Sequence, residues 1–371
     1  MSDTITLLLC GDVMLGRGLD QILAHPGDPT LHESYFHDAR GYVSLAERVS
    51  GVIPRPVEDT WPWGEALSEI ERSRPGILVI NLETTVTTSG DFAPGKPIHY
   101  RMSPDNLGCL AAAHPDVCVL ANNHVLDLGR QGLQESLQCL AAAGLATAGA
   151  GHDLASAVAP AVVSPDGTAS VSVLAYAHRG SGVPGGWAAS VRRPGVALLP
   201  DLSTRTAAAI AARIDREKAR GANVVVSLHW GSNWGFDIPR AQVRFAHRLV
   251  DAGADIVHGH SSHHPRPVEV YADRLVLYGC GDFINDYEGI GGHEEYRGDL
   301  RMLYRVAVAP EGTLVGVDLV PFRSRRLRLE RAVASDVKWL ASLLDTRSRR
   351  YGVRLHGTAN ETIAVDWTMR W

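Results

Sequence analysis

The chain contains 371 residues, of which 45% are hydrophobic, and carries a formal net charge of -5 at pH 7. A chain of this length and apolar content can bury a substantial core, in one large domain or two smaller ones, without disulfides or a structural metal. Its negative charge provides no overall positive field for a polyphosphate backbone, which argues against nucleic acid as the main partner.

The amino terminus is typical of a first strand and not of a targeting segment. Residues 4–10 form an apolar run that follows Asp3, with no basic region before it. The run is too short for a signal peptide or a membrane span. We therefore predict no membrane segment and a cytoplasmic location.

Apolar, β-branched runs alternate with amphipathic helical patterns through the first two thirds of the chain. Strands that form continuous apolar runs are buried on both faces, which is typical of an α/β sheet covered by helices. The alternation predicts a layered α/β domain. The predicted strands are residues 4–10, 77–82, 117–121, 171–176, 223–228 and 255–257, and the predicted helices are residues 104–113, 130–143, 204–218 and 239–252.

Two stretches rich in glycine and proline, residues 25–63 and 180–200, have little periodicity and are predicted loops. Long ordered loops in an α/β enzyme commonly shape the substrate pocket. We expect these two loops to do so here.

After residue 266 the predicted strands follow one another closely, which is typical of antiparallel hairpins and implies a second sheet. A helix is predicted to begin near Ser335, within an arginine-rich segment that is either a solvated face or an anion-binding surface. We predict a main domain of residues 1–322 and a C-terminal helix and strand appendage of residues 323–371. The predicted late strands are residues 268–271, 275–278, 302–309 and 314–320.

The five cysteines are an odd number without CxxC spacing, and we interpret them as reduced and mostly buried. Cys280, between two glycines near the predicted site, is the candidate for a reactive thiol.

Polar side chains follow five of the predicted strands, at the point where each strand ends. The carboxyl ends of strands in an open α/β sheet are where ligand sites collect. Taken singly, the carboxylates also suit helix caps or turns, and a lone histidine is more often a core residue; the clustering at successive strand ends favours a site. The residues are Asp12, Glu83, Asn123, His124, His229, His260 and His263.

Mixed imidazole and oxygen donors suit Mn, Zn or Fe, whereas an all-oxygen set would indicate Mg or Ca. Such an ion polarises a substrate oxygen and lowers the pKa of bound water from about 15.7 to about 7, which generates a hydroxide nucleophile. The sequence therefore predicts a metal-dependent hydrolase.

Several segments together resemble the CapA family of poly-γ-glutamate (capsule) synthesis, which belongs to the calcineurin-like metallophosphoesterase superfamily. The resemblance extends from about residue 4 to about residue 320, in the correct order. It implies a four-layered αββα sandwich that binds one or two divalent ions. The segments are GDVMLGR (11–17), NLE (81–83), ANNHVLDLG (121–129), HWG (229–231), GHSSHHPRPVEVY (259–271) and YGCGDF (278–283).

The resemblance also implies a role for each site residue. Glu83 stands where the superfamily has a bridging aspartate, and His124 is the implied general acid. Asp127 is expected to orient His124. The remaining implied ligands are Asp12, Asn123, His229, His260 and His263.

Arg17, Tyr100 and Arg101 are our candidates for holding an anionic substrate, because guanidinium groups bind carboxylates and phosphates bidentately. The alternative for the two arginines is a surface or structural ion pair.

The chain departs from the superfamily pattern at two positions. Met14 occupies a position that is usually histidine in the superfamily. The superfamily's last motif is usually GHxH; here its second histidine lies one position later in the sequence, at His263, with His264 as the alternative. We therefore expect one metal subsite to be weakened or empty.

The leading hypothesis is hydrolysis of a small anionic substrate, either a phosphoester or a γ-glutamyl-type amide in a glutamyl peptide. An amide ligase or acyl-transferase component is an alternative, although the chain has no Walker phosphate-binding loop. A non-catalytic accessory protein of capsule polymer synthesis is the third.

Overall fold

The computed structural model describes residues 4–74, 76–164 and 170–367, and it confirms the predicted α/β class. The α-helices are α1 (Arg40–Ser50), α2 (Ala66–Arg72), α3 (Leu107–Ala111), α4 (Gly129–Ala142), α5 (Leu154–Ala157), α6 (Thr204–Lys218), α7 (Arg240–Asp251) and α8 (Ala334–Ser348).

The strands occur along the whole described chain. They are β1 (Ile5–Val13), β2 (Ile77–Leu82), β3 (Thr85–Val86), β4 (Arg101–Met102), β5 (Val117–Val119), β6 (Ala146–Ala148), β7 (Ala150–Gly151), β8 (Ala161–Val163), β9 (Val171–His178), β10 (Gly195–Val196), β11 (Leu198–Leu199), β12 (Asn223–His229), β13 (Ile256–His260), β14 (Val268–Tyr271), β15 (Arg274–Leu277), β16 (Asp282–Ile284), β17 (Leu300–Val308), β18 (Leu314–Arg325), β19 (Arg328–Arg331), β20 (Val353–Gly357) and β21 (Ile363–Trp367).

Two large mixed sheets contain most of these strands. The first has ten strands in the order β20-β21-β18-β17-β1-β2-β5-β6, with β16 beside β1 and β19 beside β18. The second has seven strands in the order β11-β9-β12-β13-β15-β14, with β8 beside β9. Parallel strands form one side of each sheet, β1-β2-β5-β6 in the first and β11-β9-β12-β13-β15 in the second. Antiparallel hairpins extend the other side of each sheet.

The second sheet is covered on both faces, which explains its continuous apolar strands. Val173 and Val225 belong to a core that also contains residues of the first sheet, including Leu9. The next residues along the same strands, Leu174 and Val226, belong to a separate core with α6 and α7. Successive strand residues point to opposite faces, so each strand contributes to both cores.

The predicted loop of residues 25–63 contains a helix, α1, that we did not predict. Only Tyr42, Val43 and Ala46 of this helix are buried. Such a short apolar stripe, between proline-rich segments, gives a weak helical signal in the sequence.

The late hairpins do not form a sheet of their own, which corrects that expectation. The hairpin β14–β15, whose Ala272 and Asp273 have φ of 48° and 57°, pairs with β13 of the second sheet. The hairpin β17–β18 pairs with β1 of the first sheet. The local sequence pattern identifies a hairpin, but it does not show which other strand the hairpin pairs with.

The C-terminal segment contains the predicted helix as α8, with Val337, Leu340 and Leu344 buried. Strand β18 continues past residue 322 to Arg325, and β21 pairs with it, so the segment extends the first sheet. The division at residue 322 stays a prediction.

All five cysteines are free, and four are buried. Burial raises the pKa of the Cys280 thiol well above its usual value, which argues against a reactive thiolate there. Within the described ranges, no helix is both long and apolar enough to cross a membrane.

Candidate metal centre

The carboxyl ends of parallel strands from both sheets meet at one place. Asp12 at the end of β1 pairs in register with Asn81 of β2, and His229 of β12 pairs with His260 of β13. Each parallel pair therefore presents its polar side chains at the same edge of its sheet.

Two glycines allow β16 to approach β1 closely. A Cβ atom on Gly11 would lie 1.7 Å from the carbonyl oxygen of Gly281, which itself has a φ of +78°. The Asp12 amide donates to that carbonyl at 3.1 Å. This contact places Asp282, the residue after Gly281, opposite Asp12 in register.

The first group of possible metal donors consists of Asp12, His229 and His260, whose ligand atoms lie within 4.8 Å of one another. The two histidine Nδ1 atoms are 2.9 Å apart, and His260 Nδ1 lies 3.7 Å from Asp12 Oδ1. All three residues are buried. The donors therefore converge on one enclosed point.

The second group consists of Asp12, His263 and Asp282. His263 Nδ1 lies 2.9 Å from Asp282 Oδ1. Asp12 belongs to both groups, so the two positions share one carboxylate. The arrangement offers donors for one or two ions.

The charge balance of this cluster fits a cation. Burial and then the charge of Asp282 raise the pKa of Asp12 to about 7, while burial with the charges of Asp12 and Asp282 raises the pKa of Glu83 well above its usual value. Asp12 Oδ2 is buried and has no hydrogen-bond partner within the described chain. Buried carboxylates and an orphaned oxygen are stabilised by a positive ion.

The histidines fit the same interpretation. Burial lowers the pKa of His229 and of His260 well below the usual value, so both rings are neutral near pH 7. The neutral imidazole is the form that binds a metal. Mixed imidazole and carboxylate donors suit Mn, Zn or Fe.

Glu83 lies beside the first donor group. Its Oε2 atom is 3.8 Å from His229 Nδ1, and its Oε1 atom is 3.8 Å from His124 Nε2. The Asn81 amide donates to Asp12 and to Glu83, at 2.8 Å each, and so fixes the two carboxylates side by side. Asp12 is the shared member of the two donor groups, and the bridging role of Glu83 stays a prediction.

Asn123 Oδ1 lies 3.1 Å from His229 Nε2, on the side of that ring away from His260. The ammonium of Lys96 donates to the Asn123 carbonyl and, at 2.5 Å, to Asp127. The turn that carries Asn123 is thus held next to the centre, and the role of the amide oxygen as a ligand stays a prediction.

His124 and Asp127 form the pair that the sequence predicts, with 2.6 Å between His124 Nδ1 and Asp127 Oδ2. Asp127 Oδ2 also accepts from the Tyr100 amide at 2.6 Å. Burial lowers the pKa of His124 to about 4, and Asp127 only partly offsets this. The ring presents Nε2 towards Glu83.

Arg17 is buried and paired within the protein. Its guanidinium donates to Asp286 at 2.9 and 2.5 Å and to Glu33 at 3.0 Å. It also lies over the rings of Tyr42 and Tyr100. These contacts are those of the structural ion pair that the sequence left as the alternative.

Arg101 donates to the Asp28 carbonyl at 2.7 Å and lies 3.3 Å from the Asp28 carboxylate. Tyr100 is buried, with its ring edge-on to His124 at 4.6 Å. The substrate-binding roles of Arg17, Tyr100 and Arg101 stay predictions.

The structure distinguishes between the two rival histidines of the closing motif. His263 reaches the second donor group, whereas His264 stacks on Tyr296 at 4.4 Å and bonds the Pro265 carbonyl. Met14, the other departure, lies 3.8 Å from the Tyr287 hydroxyl. The second group thus has three donors without a histidine at position 14; whether its affinity is weakened stays a prediction.

Sequence reasoning missed three residues of the centre: Asp282, Asn81 and Lys96. Asp282 follows an apolar run within the YGCGDF segment, so its strand-end position was a usable signal. Asn81 lies within the NLE segment. Lys96 is an isolated lysine in a loop, and no local pattern marks it.

A cavity of about 890 Å³ opens beside His263 and Asp282. Its walls include Trp234 and Ile290, and residues of the predicted loop 25–63 such as Tyr35. The volume is typical of a small-molecule site.

The chain is similar to several known bacterial proteins. The family model described as "Bacterial capsule synthesis protein PGA_cap" matches residues 6–287. A probable polyglutamine synthesis accessory protein of Mycobacterium tuberculosis is 52% identical over 355 residues, which are 95% of this chain and 93% of that protein. The PGA biosynthesis protein CapA of Bacillus subtilis is 26% identical over 287 residues, which are 76% of this chain and 64% of that protein.

Proposed function

Because this chain belongs to the PGA_cap family of bacterial capsule synthesis proteins, and its resemblance to CapA is thereby confirmed, we propose that it is a metal-dependent hydrolase of an anionic substrate. The proposal includes the four-layered αββα metallophosphoesterase sandwich, with α6 and α7 outside the second sheet. The observation that carries it is the pair of donor groups that share Asp12, all of whose members are buried except the half-buried His263.

The residues of the two donor groups would hold one or two ions of Mn, Zn or Fe. When bound, such an ion supplies a Lewis acid and an acidified water molecule. The chain contributes the rest of the site: Asn81 orients two carboxylates, and burial keeps His229 and His260 neutral for binding.

His124 is the proposed proton donor to the leaving group. Asp127 fixes the ring through Nδ1, which leaves Nε2 directed towards Glu83 and the centre. The negative charge of the substrate would raise the pKa of the buried ring and so favour its protonated form. An anionic substrate is therefore part of the mechanism, whether it is a phosphoester or a γ-glutamyl amide.

The test combines metal analysis with hydrolysis assays on a panel of phosphoesters and γ-glutamyl peptides. We expect His229→Ala and Asp12→Asn to lose bound metal and at least about a hundredfold in kcat/KM, because removal of a direct ligand exceeds the usual effect of an outer partner. The matched control is His247→Ala, since His247 lies on the outer helix α7 and bonds Glu269 of β14, and neither residue belongs to a donor group.

A metal-free, inactive wild-type protein would overturn the proposal. That outcome would favour the second candidate, a non-catalytic accessory protein of polymer synthesis, in line with the printed name of the Mycobacterium tuberculosis relative. Co-purification of the chain with synthase subunits would then support the accessory role.

A further inference from the structure

Arg301 of β17 is a buried arginine without an ion-pair partner among the described residues. It is 1% exposed and lines the cavity beside the centre. Its Nη1 atom donates to the carbonyls of Gly298, at 2.5 Å, and Leu300, at 3.1 Å, while Nη2 donates to Asn285 Oδ1 at 2.7 Å. Its Nε atom has no partner within the described chain.

A buried guanidinium without a carboxylate partner is costly, because desolvation penalises the charge. The nearby Arg17 shows the usual solution, since Glu33 and Asp286 pair with it directly. Arg301 lacks such a pair, so its position needs a different explanation.

Asn285 links Arg301 to the metal centre. Its Nδ2 atom donates to Asp282 Oδ2 at 2.6 Å, and the other oxygen of Asp282 lies 2.9 Å from His263 Nδ1. The four side chains therefore form one continuous chain of hydrogen bonds, from Arg301 through Asn285 and Asp282 to His263.

The direction of this chain is fixed by the chemistry of its ends. A guanidinium only donates and an ionised carboxylate only accepts. The Asn285 amide must therefore turn its oxygen to Arg301 and its nitrogen to Asp282, and a flipped amide would lose both bonds. Arg301 thus fixes the orientation of the Asp282 carboxylate without touching it.

We propose that Arg301 is a positioning residue for the divalent ion held by Asp12, His263 and Asp282, acting through Asn285. The proposal rests on the proposed metal-dependent function. Arg301 contributes orientation and a remote positive charge to one of the two ion positions, and it leaves the position at His229 and His260 unaffected.

The experiment is calorimetric titration of metal-free, full-length protein with Mn²⁺. The variants are Arg301→Gln and Asn285→Ala, which break the same chain of hydrogen bonds at different residues, and His263→Ala, which identifies the binding step that belongs to the second position. We expect Arg301→Gln and Asn285→Ala to raise the Kd of that step by about 10- to 100-fold, which is the usual effect of removing a residue that holds a ligand in place. The Kd of the other step should stay within about threefold of the wild-type value.

The matched control is Arg305→Gln. Arg305 lies on the same strand β17, but its ion pair with Asp318, at 3.2 Å, is partly exposed to solvent. Both binding steps should be unchanged in this variant. If a variant retains the binding step at His229 and His260, it is folded. If Arg301→Gln does not fold, the result for Asn285→Ala decides the test.

Equal weakening of both steps, or no change in either, would overturn the role of Arg301 while leaving the metal-dependent function intact. The role of Arg301 would also be overturned if the wild-type protein bound a single ion and His263→Ala still bound it. A wild-type protein that takes up no ion would overturn both proposals.

Discussion

At the scale of single residues, the centre depends on side chains whose conformation the fold constrains. Ser261 lies between two histidines of the centre and has a φ of 99°, which L side chains rarely adopt. It follows His260 directly, and the backbone amide of His263 donates to the Asn233 carbonyl at 3.0 Å. The strained turn therefore directs His260 and His263 to different donor groups.

We predict opposite effects for two substitutions of Ser261. Ser261→Gly should keep or slightly raise the free energy of unfolding, because glycine accepts positive φ. Ser261→Val should lower it by about 1–3 kcal/mol, because a β-branched residue is strained there, and should weaken metal binding. Denaturant titration of both variants measures this. Equal stability of the two variants would show that the turn stores no strain.

At the scale of elements, Asp345 of α8 ties the helix to the strand that follows it. It accepts from Arg354 at 2.7 Å, from the Leu355 amide at 3.1 Å and from Arg349 at 2.5 Å. Burial opposes ionisation, but these hydrogen bonds hold the pKa of Asp345 below its usual value. The ionised form therefore stabilises the C-terminal segment.

Asp345→Asn should lower the free energy of unfolding by about 1–3 kcal/mol at pH 7, since it weakens charge-assisted hydrogen bonds. A depressed carboxyl pKa contributes stability above the unfolded-state pKa, about 3.9, and loses it as the pH falls towards the folded-state value. The difference between variant and wild type should therefore shrink below about pH 4. Denaturant titrations at pH 7 and pH 3 measure it.

Asp366→Asn is the control for this prediction, because Asp366 pairs with His356 on the same segment while both side chains are exposed. Its effect should stay within about 0.5 kcal/mol. A pH-independent deficit in Asp345→Asn would contradict the assignment to ionisation.

At the scale of the whole molecule, the centre joins the two sheets. Asp12 and Asp282 come from the first sheet, and His229 and His260 come from the second. An ion bound by both sets would bind the folded chain only, because unfolding separates the sheets.

We therefore predict that a divalent ion at a hundred times its Kd stabilises the folded protein by about 2.7 kcal/mol per site. For a chain of 371 residues, this corresponds to a rise in Tm of about 3–4 °C, from an unfolding entropy of about 2.1 cal/mol/K per residue. Calorimetry of the metal-free and metal-loaded protein measures the shift. Asp12→Asn should abolish it and His247→Ala should retain it; a shift that persists in Asp12→Asn would place the ion elsewhere.

Local sequence pattern was enough to predict the α/β class, most strand positions and the chemical types of the candidate donors. These follow from local properties. Apolar runs predict buried strands at residues 171–176 and 223–228, which the structure contains within Val171–His178 and Asn223–His229. Polar residues at strand ends indicate Asp12 and His260 as candidate donors. Whether a candidate donor is an imidazole or a carboxylate follows directly from the residue type.

Long-range packing fixes which sheet each strand joins, that Asp12 is common to both donor groups, and that Asp282 belongs to one of them. It also paired Arg17 with Asp286, 269 positions away. The physical reason is that local periodicity reports which face of an element is buried, whereas the partners of that face come from distant parts of the chain and are fixed only when the sheets pack together.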